Sequence, residues 1–137
     1  MGFPIVLCID DRPDQLEIRK AALEARGFCV ETVTSGYAAM KMLEKKPVNA
    51  VLLEYKEEGM GAEALAFQIN QRFPNLPIIL LSAYSEMPER ILWLVDEYGM
   101  RSEQPDGLVR VIERVMRCTN ANKEHTLASC TNEQVAA

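Results

Sequence analysis

Short apolar runs, each too brief for a helix, alternate along this chain with segments whose apolar residues recur at helical spacing. That alternation admits few folds. Ile5-Val6-Leu7-Cys8-Ile9 lies between Pro4 and Asp10 and reads as a strand buried on both faces. Cys29 to Val33, Ala50 to Leu53 and Pro77 to Leu81 read the same way. Pro13 is placed to open a first helix, whose inward stripe is expected at Ile18, Ala21, Ala22 and Ala25, with Gly27 as its end. Ser35 is expected to cap a second helix with Ala39, Met42 and Leu43 inward, stopped before Pro47. Ala62, Leu65, Ala66, Ile69 and Phe73 carry the clearest helical period. Pro88 should open a fourth helix with Ile91, Leu94, Val95 and Tyr98 on one face and Trp93 off it. A fifth strand is expected between Gly99 and Pro105, short or irregular because Met100 is its one clearly apolar residue. Leu108, Val111, Ile112 and Val115 then mark the last helix.

Five strand–helix pairs in succession imply an α/β fold: a doubly wound, five-stranded parallel sheet with helices on both faces, three layers in all. The 137 residues are enough for one domain, expected over 1–118. Residues 119–137 are rich in Thr, Asn, Ser and Ala and read as a disordered tail, which also holds His125. A net charge of −5 with no Lys/Arg stripe argues against direct nucleic-acid binding. No apolar run approaches the length of a membrane span, and the N-terminus lacks the basic segment of a signal peptide. Cys8, Cys29, Cys118 and Cys130 show no C-x-x-C spacing, so a reducing cytoplasm is the expected location. Cys8 and Cys29 are expected in the core.

Ligands of parallel sheets bind beyond the carboxyl ends of the strands. The residues there are Asp10 and Asp11 after the first strand, Glu54 after the third, with Lys56 two further on, and Ser82 after the fourth. Hard oxygen donors of this kind suit Mg²⁺. Acidic residues after a strand also serve simply as helix N-terminal charges, but three strand ends together are more than that explains.

The chain from Ile5 to Asp11, followed by Arg12-Pro13-Asp14, resembles the opening of a response regulator receiver domain. Ala50-Val51-Leu52-Leu53-Glu54 is similar to that family's third strand, Glu58-Gly59-Met60-Gly61 to the loop after it, and Ile78 to Ala83 to its fourth strand. The resemblance covers residues 4–117. It implies the flavodoxin-like strand order 2-1-3-4-5, cytoplasmic two-component signalling, and a histidine kinase or downstream signalling protein as partner. It implies that Asp10 and Asp11 hold Mg²⁺ with the backbone carbonyl of Lys56, that Ser82 bonds the phosphoryl group, and that position 54 is the phosphoacceptor.

The chain departs from the family at three of these places. Position 54 holds Glu54, not Asp; position 104, expected to be lysine, holds Gln104; and Lys56 brings a cation beside the metal pocket. Glu adds one methylene, about 1.5 Å of reach, where a misplacement of about 1 Å can cost about 100-fold in rate. The expected function is therefore a stand-alone, receiver-like signalling domain, not an enzyme, that acts as a phosphorylation-independent interaction module. Mg²⁺ binding should be weak or absent, with Lys56 pairing Glu54 and one of the aspartates in the metal position. Alternatives are a working phosphoacceptor receiver that binds Mg²⁺, and a Mg²⁺-dependent phosphohydrolase on a similar sheet. A homodimer through the face of the fourth and fifth helices is a further expectation.

Overall fold

Residues 3–55, 61–82, 89–100 and 106–117 are described by the structure, a computed structural model. The apolar runs form β1 (Ile5–Ile9), β2 (Cys29–Val33), β3 (Ala50–Glu54) and β4 (Ile78–Ser82). Glu97–Met100 adds β5. All neighbours pair in parallel, in the order β2-β1-β3-β4-β5. Between the strands run α1 (Pro13–Glu24), α2 (Gly36–Lys45), α3 (Ala62–Arg72) and α4 (Glu89–Leu92), and α5 follows over 106–117. The expected fold class and strand order are those observed.

Alternating side chains of each strand serve two apolar layers. Leu7, Ile9, Val51, Leu53, Ile78 and Leu80 pack with α2, α3 and Ile91 of α4. Val6, Cys8, Ala50, Leu52, Ile79 and Leu81 pack with α1 and α5, through Leu16, Leu23, Leu108, Ile112 and Val115. Local signals set the helix ends. Pro13 opens α1, where its missing N–H costs nothing, and Gly27 follows its end at φ +96°, a left-handed conformation natural to glycine. The Ser35 hydroxyl accepts the Ala38 N–H at 3.1 Å and caps α2.

Two strands are fastened at their entry by the residue just before them. The Asn49 N–H donates to the Ile5 carbonyl at 2.8 Å, and the Asn49 side-chain oxygen accepts the Ile5 N–H at 2.8 Å. Asp96 does the same one sheet-half away: its N–H donates to the Ile78 carbonyl at 2.8 Å and its carboxylate accepts the Ile78 N–H at 2.8 Å. Each clamp ties the start of an arriving strand, β3 or β5, to the start of the strand beside it.

The structure corrects four expectations. Ile18 is 66% exposed, and α1 instead buries Leu16 and Leu23. Ile18 stands about 200° around the helix from Leu16, and the two leucines have more apolar surface to hide than the alanines of the expected stripe. Cys29 is exposed, because it begins the edge strand β2. The fourth helix, among the described residues, is the single turn Glu89–Leu92. Leu94 and Val95 still pack against the core, but Tyr98 belongs to β5, which begins earlier than expected because the Asp96 clamp starts the pairing there. Trp93 is 79% exposed, as expected off the apolar face. The expectations for Pro88, Cys118, His125, Cys130 and the tail 119–137 lie outside the described residues.

Candidate functional site at the carboxyl edge of the sheet

The parallel register brings the strand ends together. Ile9 lies beside Leu53, so Asp10 follows next to Glu54. Glu54 pairs with Leu81 in β4, and Ser82 pairs with Met100 in β5. The Asp10 N–H donates to the Val33 carbonyl at 3.3 Å and the Tyr55 N–H to the Leu81 carbonyl at 2.7 Å, which extends the ladder to this edge. Asp10, Glu54 and Ser82 are the buried polar side chains of the described residues. Burying carboxylates is costly unless they are paired or hydrogen-bonded, so a fold that hides two at one sheet edge has been shaped around them. Asp11 stands at the same edge but is exposed. Lys56 and Gln104 lie outside the described residues.

Asp10 is held from two sides. One carboxylate oxygen accepts the Arg12 N–H at 3.1 Å. The other lies 3.9 Å from the Arg19 guanidinium, which comes from the inward face of α1. Arg12 itself pairs with Asp14 at the surface, 3.6 Å away. Behind the edge, burial pushes the Cys8 thiol up to about 12, with Arg19 pulling it down and Asp10 pushing it up. Cys8 is therefore a packing residue and no nucleophile at neutral pH.

Arg19 is the site residue that sequence reasoning missed. Its signal was present: it lies three residues after Leu16 and four before Leu23, in the stripe α1 buries. A charged residue in such a stripe implies a buried partner.

The carboxylates have the donor chemistry for Mg²⁺. Asp10 is already engaged by the Arg12 N–H and the Arg19 guanidinium, and among the described residues no three His, Cys, Asp or Glu side chains converge on one point. No helix of the described residues is long and apolar enough to cross a membrane.

A parallel sheet of order 2-1-3-4-5 with acidic residues at the first and third strand ends and a hydroxyl at the fourth is compatible with a receiver domain. The response regulator receiver domain model matches residues 6–101, and the chain belongs to that family. It is similar to an NtrX-like response regulator of Rickettsia bellii, 27% identical over 130 residues that cover 91% of this chain and 27% of that protein. It is also similar to the sensor protein GacS of Pseudomonas syringae pv. syringae, 33% identical over 117 residues that cover 80% of this chain and 13% of that protein. The chain thus spans roughly a quarter or less of the length of these curated relatives. Among solved structures, the response regulator TrrA of Thermotoga maritima, in complex with Mg²⁺ and beryllium fluoride, superimposes with a TM-score of 0.75 at 27% identity, over 82% of this chain and 98% of that one. NtrX of Brucella abortus shares the fold at a TM-score of 0.84 and 20% identity, over 100% of this chain and 31% of that one.

Proposed function

We propose that this receiver domain is a protein-interaction module of a two-component system whose output does not depend on phosphoryl transfer. The observation that carries the reading is Glu54. It is buried at the end of β3, beside Asp10, at the position where the family resemblance implies the phosphoacceptor. Attack on a phosphoryl donor needs the acceptor oxygen in line and at contact distance. The extra methylene of Glu carries its oxygen about 1.5 Å beyond where an aspartate's would be, and the buried setting leaves little room to draw it back.

The cationic partner of a transferred phosphoryl group is altered as well. The resemblance puts a lysine at position 104, which is Gln104. Gln104 carries no charge, and it lies four residues after Met100 in sequence, outside the described residues. TrrA carries Mg²⁺, the family resemblance implies Asp10, Asp11 and the Lys56 carbonyl as its ligands here, and we infer weak binding at best, because Asp10 is already engaged. Partners are a histidine kinase, as the likeness to GacS suggests, or a downstream signalling protein of the cytoplasm. Exposed Trp93 and Tyr98 favour the side of α4 and β5, toward α5, as a contact face, including for a second copy.

The test is incubation of the chain with acetyl phosphate and Mg²⁺, read by intact mass and peptide mapping. No adduct at residue 54 is expected in the parent. A phosphate mapped to Glu54 would overturn the proposal in favour of a working phosphoacceptor.

A further inference from the structure

Arg19 is placed where a charged side chain rarely goes. It sits on α1 between Leu16 and Leu23, both buried against the sheet, and its own side chain is 11% exposed. The carboxylate it meets, Asp10, is fully buried, with 3.9 Å between the guanidinium and the nearer oxygen. Glu54 shares the strand face of Ala50 and Leu52, which is the face that packs on α1 and α5. The cation and both buried carboxylates therefore lie on one side of the sheet. The Cys8 thiol, in the same layer, responds to the charges of Arg19 and Asp10 in opposite directions, which puts both within electrostatic reach of one point in the interior.

We propose that Arg19 is a built-in counter-cation of the acidic pocket, which competes with divalent metal for the Asp10 carboxylate and keeps the metal affinity of the pocket low. A guanidinium cannot lose its proton in any accessible pH range, so the competition cannot be titrated away. It is also anchored by the packing of α1, unlike a counter-ion on a surface loop, so it holds its place without being drawn out into water. A divalent ion approaching Asp10 must either share the carboxylate with Arg19 or displace a side chain that the helix has buried. Arg19 is thus a positioning residue for Asp10 and a determinant of what cation the pocket takes. The proposal rests on reading this edge as the receiver's pocket. Its test measures reversible metal binding, whereas the acetyl phosphate test measures a covalent adduct, so either can fail alone.

The experiment is calorimetric titration of Mg²⁺ into the full chain and into Arg19→Met and Arg19→Lys. Arg19→Met should bind Mg²⁺ about tenfold more tightly than the parent, while Arg19→Lys, which keeps the charge, should stay within about threefold of it. An Arg19→Met protein that binds no more tightly than the parent overturns the proposal. So does an Arg19→Lys protein that gains as much as Arg19→Met, since shape and not charge would then be at work. In an Asp10→Asn background the Arg19→Met change should bring no gain, and an undiminished gain there also overturns the idea. Removing the guanidinium takes a cation from beside a buried carboxylate, which can leave Arg19→Met unfolded in the absence of metal. In that case circular dichroism follows refolding as Mg²⁺ is added. Recovery of the fold by about 10 mM supports the proposal, because a bound ligand stabilises only the state that binds it, and failure to recover overturns it.

Discussion

Replacing Asp96 with alanine removes one half of the clamp that starts β5. The lost contact is the 2.8 Å bond from the Ile78 N–H to the Asp96 carboxylate. Ile78 is fully buried, so its N–H has few alternatives within the protein. A buried donor left unsatisfied costs about 1–3 kcal/mol. Asp96 itself is exposed, so water can reach part of the vacated space, and the lower half of that range applies, about 1.5 kcal/mol. For a domain of this size that corresponds to a fall of about 5 °C in Tm. Asparagine keeps an oxygen at the same reach, and Asp96→Asn should lose no more than about 0.5 kcal/mol. Urea denaturation followed by circular dichroism reads both variants, with the m-value unchanged if the native compactness is kept. If Asp96→Ala unfolds within about 0.5 kcal/mol of the parent, or Asp96→Asn falls as far as alanine, the clamp contributes nothing and the account of where β5 begins is wrong.

Three further outcomes follow from burial. Ile18→Ser, on the exposed face of α1, should change stability by less than about 0.5 kcal/mol, whereas Leu16→Ala should cost about 2–5 kcal/mol; equal effects in urea titrations would restore the face expected from the alanine stripe. Native-state alkylation with iodoacetamide, mapped by peptide mass, should modify exposed Cys29 and spare buried Cys8. Because the folded Cys8 thiol is pushed up to about 12 from an ordinary 9.0, the unfolded chain releases its proton first as pH rises. Stability from this group is whole below pH 9 and is lost between about 9 and 12, by at most about 1.4 kcal/mol per pH unit. Cys8→Ala should flatten that part of the alkaline stability curve, and an unchanged slope would mean the thiol is not the source.

The parts of this fold that were legible in the residues are those decided locally. β1, β3 and β4 are five-residue strands, buried along nearly all their length, and no helix of that length could hide so many apolar side chains. The sheet edge followed from them, and with it Asp10, Glu54 and Ser82. β5 was misjudged because Glu97, Tyr98 and Gly99 show no apolar alternation, while Ile91, Leu94, Val95 and Tyr98 happen to fit a helical period. What decides that segment is tertiary: the open edge of β4 and the Asp96 clamp. Arg19 was overlooked for a related reason. A charged residue on a helix is read as facing water by default, and only the docked helix reveals that its partner is a strand-end carboxylate.

The two entry clamps also bear on how the chain avoids folding one residue out of step. In a sheet with one wet face, a slip turns every apolar side chain outward and is heavily penalised. Here both faces are dry, and a slip in β4 would merely exchange Ile79 for Leu80 between two equally apolar layers. The interior of this sheet therefore carries little record of its own alignment. That record is kept at its margins, by Asn49 and Asp96 where strands enter and by Asp10, Glu54 and Ser82 where they leave. The buried polar residues at the carboxyl edge thus have a second duty besides any chemistry: they are punctuation, marking where each strand must stop.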